Sequence, residues 1–314
     1  MTDFTFSIEP YDERYQEELM VLEKNSPQGK QIKLEMVRDH FLSRSVIFDD
    51  YEIFIAFEEL QKKLVGVIAM AVTNLEADGK RYKCGVGYDL KIHPQFRKRG
   101  ISKKLSAFMI HRFQHIKHVD NFFITMKKDN IGADKMASAL NSNKGVLDFI
   151  YLTIPTSRQI EIKDEMQFDD PFHVTLFDQE STPGKYHQFT ENRLGVWNTY
   201  KTYQLRIVSM PTVMQWAIPI VNIFKPTSRK IPSIGKTIKM ATLFDVKKEN
   251  ISDINQVLRN LAKKDVDFLN VCCSSDGFIH QTLRKYAINK LPYCLQNSMD
   301  LNNGSMVNID VRCL

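Results

Sequence analysis

The stretch HPQFRKRGISKKL, residues 93–105, decides how this chain is read. It follows CGVGYDLKI (84–92), a short apolar run with the composition of a strand. It precedes Ile101, Leu105, Phe108, Phe113 and Ile116, which recur at helical spacing. The basic run therefore falls between a strand and the start of a helix. A helix start presents unpaired backbone N–H groups and the positive end of the helix dipole, and together these hold phosphate. Gly100 removes the Cβ that would block close approach and permits φ > 0. Ser102 is small, Arg97, Lys98, Arg99 and Lys103 add charge, and Pro94 ends the strand. The spacing is neither G-x-x-x-x-G-K-[ST] nor G-x-G-x-x-G, so a P-loop and a dinucleotide fold are both unsupported.

Outward from this loop the chain alternates strand and helix patterns. FTFSIEPY (4–11) reads as a strand and YQEELMVLEK (15–24) as a helix. NSPQGK (25–30) is a turn punctuated by Pro27 and Gly29. QIKLEMVRDHFLSR (31–44), apolar at 32, 34, 37, 41 and 42, predicts a second helix. YEIFIAFEEL (51–60), LVGVIAMAVTNL (64–75) and 84–92 predict three antiparallel strands. NFFITMK (121–127) is a buried strand, and Asp129 or Asn130 caps a helix carrying Ile131, Ala133, Met136, Ala137 and Leu140. VLDFIYLTI (146–154) is another strand.

The second half begins irregularly over 157–193. Residues 195–208 and 236–246 then read as strands or their flanks, 251–264 as a helix, 266–273 as a strand, and Gly277–Ala287 as a helix. DNFFITMKKDNIGADKM (120–136) and VDFLNVCCSSDGFIHQTL (266–283) echo each other, which suggests a divergent internal repeat. The repeat lacks the phosphate loop, because KKENISDINQVL holds no glycine before its helix.

The 314 residues, 43% hydrophobic and 25% charged, are those of a soluble globular protein with a sizeable core. The net charge of +6 suits an anionic ligand as well as a nucleic acid. Five cysteines without a C-x-x-C pair argue against a disulfide framework or a zinc site and for a reducing, cytoplasmic setting. No signal peptide opens the sequence. MPTVMQWAIPIVNIF (210–224) is too short to span a membrane and reads as buried core.

With that context in place, IHPQFRKRGIS resembles motif A of the GNAT N-acetyltransferase superfamily, V-x-P-x-[FY]-R/Q-x-x-G-x-G/A. The matching residues are Ile92, Pro94, Phe96, Arg97, Gly100 and Ser102, with Ser102 where the family usually has Gly or Ala. The strand and helix order over roughly 5–155 is similar as well. A narrower resemblance to plant hookless-type two-domain acetyltransferases rests on Pro27, Gly29 and Lys30, on the long second half, and loosely on GVWNTYKTYQL (195–205).

The resemblance implies an α/β (α+β) fold with a mixed, largely antiparallel sheet and flanking helices. A transferase domain would occupy 1–160 and a degenerate GNAT-like domain 161–314. It also implies acetyl-CoA as acyl donor and no metal. The cofactor would lie on the loop and helix start, Arg97, Lys98, Arg99, Gly100, Ile101, Ser102 and Lys103, with Asn130. The backbone of Leu90, Lys91 and Ile92 would pair with the pantetheine arm.

An amine acceptor, small molecule or peptide, would attack the thioester directly in a ternary complex. Tyr88 and Asp89, on opposite faces of their strand, are the candidate catalytic residues. The tyrosine acid that the family often places seven residues after the Asn falls on Ala137, so water, unassisted departure of the thiolate, or Tyr151 takes its place. His93 reads as a loop residue or phosphate neighbour. A non-catalytic CoA-binding or regulatory protein on the same fold is the alternative. A nucleic-acid partner is disfavoured because Phe96 is the only aromatic in the basic cluster. No membrane partner is expected, and a homodimer is left open.

Overall fold

The computed structural model describes residues 5–60, 62–128, 130, 145–162, 170–177, 184–223 and 232–314. The first half builds β1 (Phe6–Pro10), α1 (Gln16–Lys24), β2 (Lys33–Val37), β3 (Tyr51–Glu58), β4 (Lys63–Ala77) and β5 (Lys80–Ile92). It continues with α2 (Ile101–Ile116), β6 (Asn121–Lys127) and β7 (Gly145–Pro155). The expected helix over Ile131–Leu140 lies outside the described residues.

The second half adds β8 (Phe172–Thr175), β9 (His187–Phe189), β10 (Gly195–Trp197) and β11 (Gln204–Ser209). Then come α3 (Thr212–Ile223), β12 (Thr237–Ile238), β13 (Met240–Phe244), α4 (Ile254–Lys263) and β14 (Phe268–Cys273). It closes with α5 (Phe278–Leu283), β15 (Asn289–Asn297) and β16 (Val307–Asp310).

Strands from both halves interleave in one mixed sheet, ordered β1-β3-β4-β5-β6-β15-β7-β14-β13-β10-β9, with β16 pairing β4 and β8 pairing β16. Its centre, β5-β6-β15-β7-β14-β13, reads the same from either end when β5, β6 and β7 are exchanged for β13, β14 and β15. The two parallel pairs, β5 with β6 and β13 with β14, occupy matching places. The two halves thus share a pattern of strand neighbours.

Helix α2 forms where its periodicity places it, burying Ile101, Leu105, Met109 and Phe113. Gly66 on β4 makes room for it, since a Cβ there would lie 2.8 Å from the Ile92 side chain and 3.3 Å from Ile101 and Leu105. Full burial of each such side chain contributes roughly 1.5–3 kcal/mol, so the start of α2 is anchored by packing.

Three expectations need correction. Residues 33–37 are a strand, followed by a short 3-10 turn over Phe41–Arg44. Ile32, Leu34 and Met36 alternate, and β2 pairs antiparallel with β11, packing Ile32 and Leu34 beside Ile207 and Ile238. A partner some 170 residues away along the chain overrides the local helical spacing. The stretch 210–224 is also not simply buried core. Within α3 Ile218 is buried, but Val213 is 79% and Trp216 76% exposed. The helix expected over Gly277–Ala287 ends earlier, at Leu283.

Candidate functional site

The loop after β5 has the shape its sequence predicts. Pro94–Phe96 form a 3-10 turn capped by His93, whose Nδ1 accepts from the Gln95 N–H at 3.4 Å. Phe96 is buried and pins the loop, with the Arg99 guanidinium 5.3 Å from its ring centroid. Arg97 Nε donates to the Ile92 carbonyl at 3.3 Å. Lys98 and Gly100 both take left-handed backbone angles, φ +65° and +79°. Gly100 is the N-cap of α2, and the first helical bond runs from Lys104 N–H to Gly100 O at 3.1 Å. The N–H groups of Ile101, Ser102 and Lys103 are therefore the unpaired first-turn donors. The side chains of Arg97, Lys98, Arg99 and Lys103 are exposed around them. A Cβ on Gly100 would meet nothing within 4 Å, so no protein packing demands glycine there, whereas the backbone angle does. Asn130 is exposed, and its N–H donates to Lys127 O at 3.0 Å in the turn that follows β6.

The strands open a cleft beside this loop. β5 and β6 pair only over Cys84–Val86 and Asn121–Phe123. Beyond that point β5 bulges. Its register against β4 jumps between Val67/Lys91 and Ala69/Tyr88, and Asp89 takes φ +51°. The extra residue bends the strand away from its neighbour, leaving the Leu90–Ile92 backbone to line the opening.

The bulge also overturns the expectation that Tyr88 and Asp89 face opposite sides. Both turn toward the segment 38–45. Tyr88 Oη donates to Ser45 Oγ at 3.0 Å. Asp89 accepts from Arg38 at 2.7 Å, and from Arg44 and Lys91 at 3.3 Å each. Arg38, fully buried, also donates to both Glu23 oxygens, at 2.8 and 2.9 Å. Lys91 Nζ lies 2.8 Å from Glu23, so its side chain points into this cluster and not toward the phosphate loop.

Three cations face two carboxylates, for a net charge of +1. Burial alone would raise the Asp89 pKa. Arg38, Lys91 and Arg44 outweigh it and hold the carboxylate far below the ordinary range, so it does not take up protons near neutrality. Burial, with the charge of Asp89 adding to it, pushes the Tyr88 phenol up despite the opposing effects of Ser45 and Arg44.

Arg44 is where the candidates converge. Its guanidinium lies 5.2 Å from the Tyr88 ring centroid and 5.8 Å from that of Tyr203. It donates to Asp89 and, at 3.4 Å, to Leu314 O. Tyr151 is close enough to act on the Arg44 charge, and its own phenol is raised by burial and by Cys272. Its ring centroid is 4.6 Å from that of Tyr293. Sequence reasoning found Tyr88, Asp89 and Tyr151 but missed Glu23, Arg38, Arg44 and Tyr203. These are scattered along the chain with no motif spacing to betray them.

The matching cleft of the second half differs. β13 and β14 pair only over Met240–Thr242 and Phe268–Asn270. The segment Asp170–Thr175 bridges the gap beyond, with Asp245 N–H donating to Val174 O at 2.7 Å and Ser274 N–H to Asp170 Oδ1 at 3.1 Å. In the loop after β13, Asn250 accepts from Lys247 N–H and donates to Asp245 O, both at 2.8 Å. A cavity of about 370 Å³ remains there, lined by Asp170, His173, Thr175, Asp245 and Lys247. Burial raises the pKa of both aspartates in it.

A sheet splayed beside a glycine-capped, basic helix start is the arrangement that the sequence resemblance implied. Residues 12–140 match the model of the acetyltransferase (GNAT) family. That part of the chain is similar to a GNAT-family domain. Over nearly the whole chain the fold is also that of Saccharomyces cerevisiae N-myristoyltransferase with bound myristoyl-CoA. The TM-score is 0.56 at 10% identity, covering 93% of this chain and 78% of that one. A GCN5-related glucosamine N-acetyltransferase region in a fungal multi-domain GH3 β-N-acetylglucosaminidase has a TM-score of 0.54 at 13% identity, covering 95% and 38%. No curated protein matches the sequence. None of these comparisons supports the narrower hookless-type resemblance.

Proposed function

We propose that the protein moves an acetyl group from acetyl-CoA to an amine acceptor by direct attack in a ternary complex. The observation that carries this reading is the left-handed Gly100 opening α2 beside the bulged, splayed end of β5. The loop Arg97–Lys103 would hold the pyrophosphate, with Asn130 closing the turn after the neighbouring strand. The Leu90–Ile92 backbone would pair with the pantetheine arm. The second half, its matching cleft bridged by Asp170–Thr175, would bind no CoA and would instead wall the acceptor side through Tyr203.

Asp89, held ionised by three cations, serves in this reading as their electrostatic partner and not as a base. The cluster's net positive charge disfavours an ammonium and favours the neutral amine that attacks. As the tetrahedral intermediate collapses, the amine nitrogen gives its proton to solvent water, the C–S bond breaks and the CoA thiolate takes up a proton. Tyr151, kept protonated by burial, is our candidate donor for that step. The relatives' names leave the acyl length open, so the test uses several acyl-CoAs. Thiol release is followed for acetyl-, octanoyl- and myristoyl-CoA against a panel of amines and peptides. Amine-dependent release fastest with acetyl-CoA supports the reading. CoA binding without release for any acceptor would favour the non-catalytic alternative.

A further inference from the structure

The two matching clefts supply their carboxylates differently. Asp89 stands three residues past Val86, the last β5 residue paired with β6, and Asp245 stands three residues past Thr242, the last β13 residue paired with β14. Both take left-handed backbone angles, φ +51° and +52°. Asp89 is met by Arg38, Arg44 and Lys91. Asp245 is met by the Thr175 hydroxyl, which donates to its Oδ1, and it forms no ion pair among the described residues. Lys247 and Arg193 act on it only from a distance, and burial outweighs them and raises its pKa.

Asp170 brings a second carboxylate to the same cavity of about 370 Å³. It is 1% exposed. Its Oδ1 accepts from the N–H groups of Phe172 at 3.3 Å and Ser274 at 3.1 Å, whereas its Oδ2 has no hydrogen-bond partner among the described residues. A Cβ on Gly277 would lie 2.2 Å from that oxygen. Gly277 has an ordinary φ of −68°, so space for the carboxylate, and not a backbone angle, requires glycine there. Asn308, on β16 beside β8, also lines the cavity, and its Oδ1 is a second buried acceptor without a partner among the described residues. The lining cations Lys247 and Lys248 are exposed. Both unmet atoms are acceptors, so what they lack is a donor, and beside two carboxylates a charged one.

We propose that this cavity holds a small organic cation bearing N–H groups, an alkylammonium or alkylguanidinium, against Asp170 and Asp245. The ligand supplies to Asp245 the positive charge that Arg38, Arg44 and Lys91 supply to Asp89, and it donates to Asp170 Oδ2 and Asn308 Oδ1. The volume is at the lower end of the range for ligand pockets, which suits a small molecule and not a polypeptide. A cleft without a phosphate loop thus takes a ligand of the opposite charge. The binding does not depend on the proposed acetyl transfer.

The full chain is titrated by calorimetry with n-butylamine and n-butylguanidine, and with n-butanol and butyrate as controls of similar size without the positive charge. At least one of the cations should bind and neither control should, and saturating CoA should not displace the bound cation. Asp170→Asn keeps an acceptor for the Phe172 and Ser274 N–H groups and removes the charge. Asp245→Asn keeps a side chain that tolerates positive φ. Each should weaken cation binding about tenfold or more, the share of one charge-assisted bond, with melting curves showing which variants fold. Failure of both cations to bind, equal binding of butanol or butyrate, or unchanged affinity in either folded variant overturns the proposal. Displacement by CoA overturns it as well, because it would put the cation in the first cleft. The dependence on Asp170 is read whether or not CoA binds, so the result is separate from that of the acetyl-transfer reading.

Discussion

Replacing Gly100 with alanine separates the cost of a backbone angle from the loss of a ligand. Gly100 sits at φ +79°, and a Cβ there meets no protein atom within 4 Å. Alanine in this conformation costs about 1 kcal/mol, part of it offset by a stiffer unfolded chain. Gly79, in the turn between β4 and β5, is a matched control at φ +75° with the same open space. Both variants should lose about the same stability in urea denaturation. Only Gly100→Ala should lose acetyl-CoA affinity. A methyl group over the helix start removes one or two charge-assisted phosphate bonds, each worth roughly 1.5–3 kcal/mol. Calorimetry should therefore record a loss of roughly tenfold or more. Equal effects of the two variants on CoA affinity, or no effect of either, would refute the assignment of the loop.

Three further outcomes follow from the same geometry. Arg38→Met removes the buried guanidinium that bonds both Glu23 and Asp89 and leaves Lys91 alone to bridge them, and denaturant unfolding should show a loss of about 3 kcal/mol. Tyr151→Phe should lower kcat by roughly a hundredfold with KM for acetyl-CoA little changed, whereas Tyr88→Phe should cost about 1 kcal/mol of stability through its bond to Ser45. Burial, with nearby cations acting on His93 and His280, lowers the pKa of His93, His187 and His280 in the fold. Their unfolded forms take up protons first, so the stability they contribute is present above the ordinary histidine pKa and is lost as pH falls below about 6.5. Melting temperature should decline from neutral pH to about pH 5.5, less steeply in His187→Asn.

The strands and helices around the loop were legible because local pattern and tertiary role agree there. Ile101, Leu105 and Phe113 show their helix by spacing alone, and the glycine and proline of the loop act through their own backbones. The errors arose where distant segments decide. β2 is a strand because β11 pairs with it, and Val213 and Trp216 of α3 are exposed although the stretch reads as core. The ion cluster was illegible for the same reason: Glu23, Arg38, Arg44 and Asp89 lie on four separate elements, and only the bulge at Asp89 brings them together. That bulge is a positive φ at an aspartate, which the sequence does not announce. The bridged second cleft was only half visible. The missing glycine in KKENISDINQVL pointed to a lost phosphate loop, but nothing in 170–175 marks it as a segment that crosses between two strand ends.

Of the two matching clefts, only the one beside the loop opening α2 is proposed to bind CoA. Titration of the full chain with acetyl-CoA by calorimetry tests it most directly. A single equivalent should bind per chain, abolished by Gly100→Asp and retained in Asn250→Gly in the second half. Two equivalents, no binding, or binding that survives Gly100→Asp would contradict it.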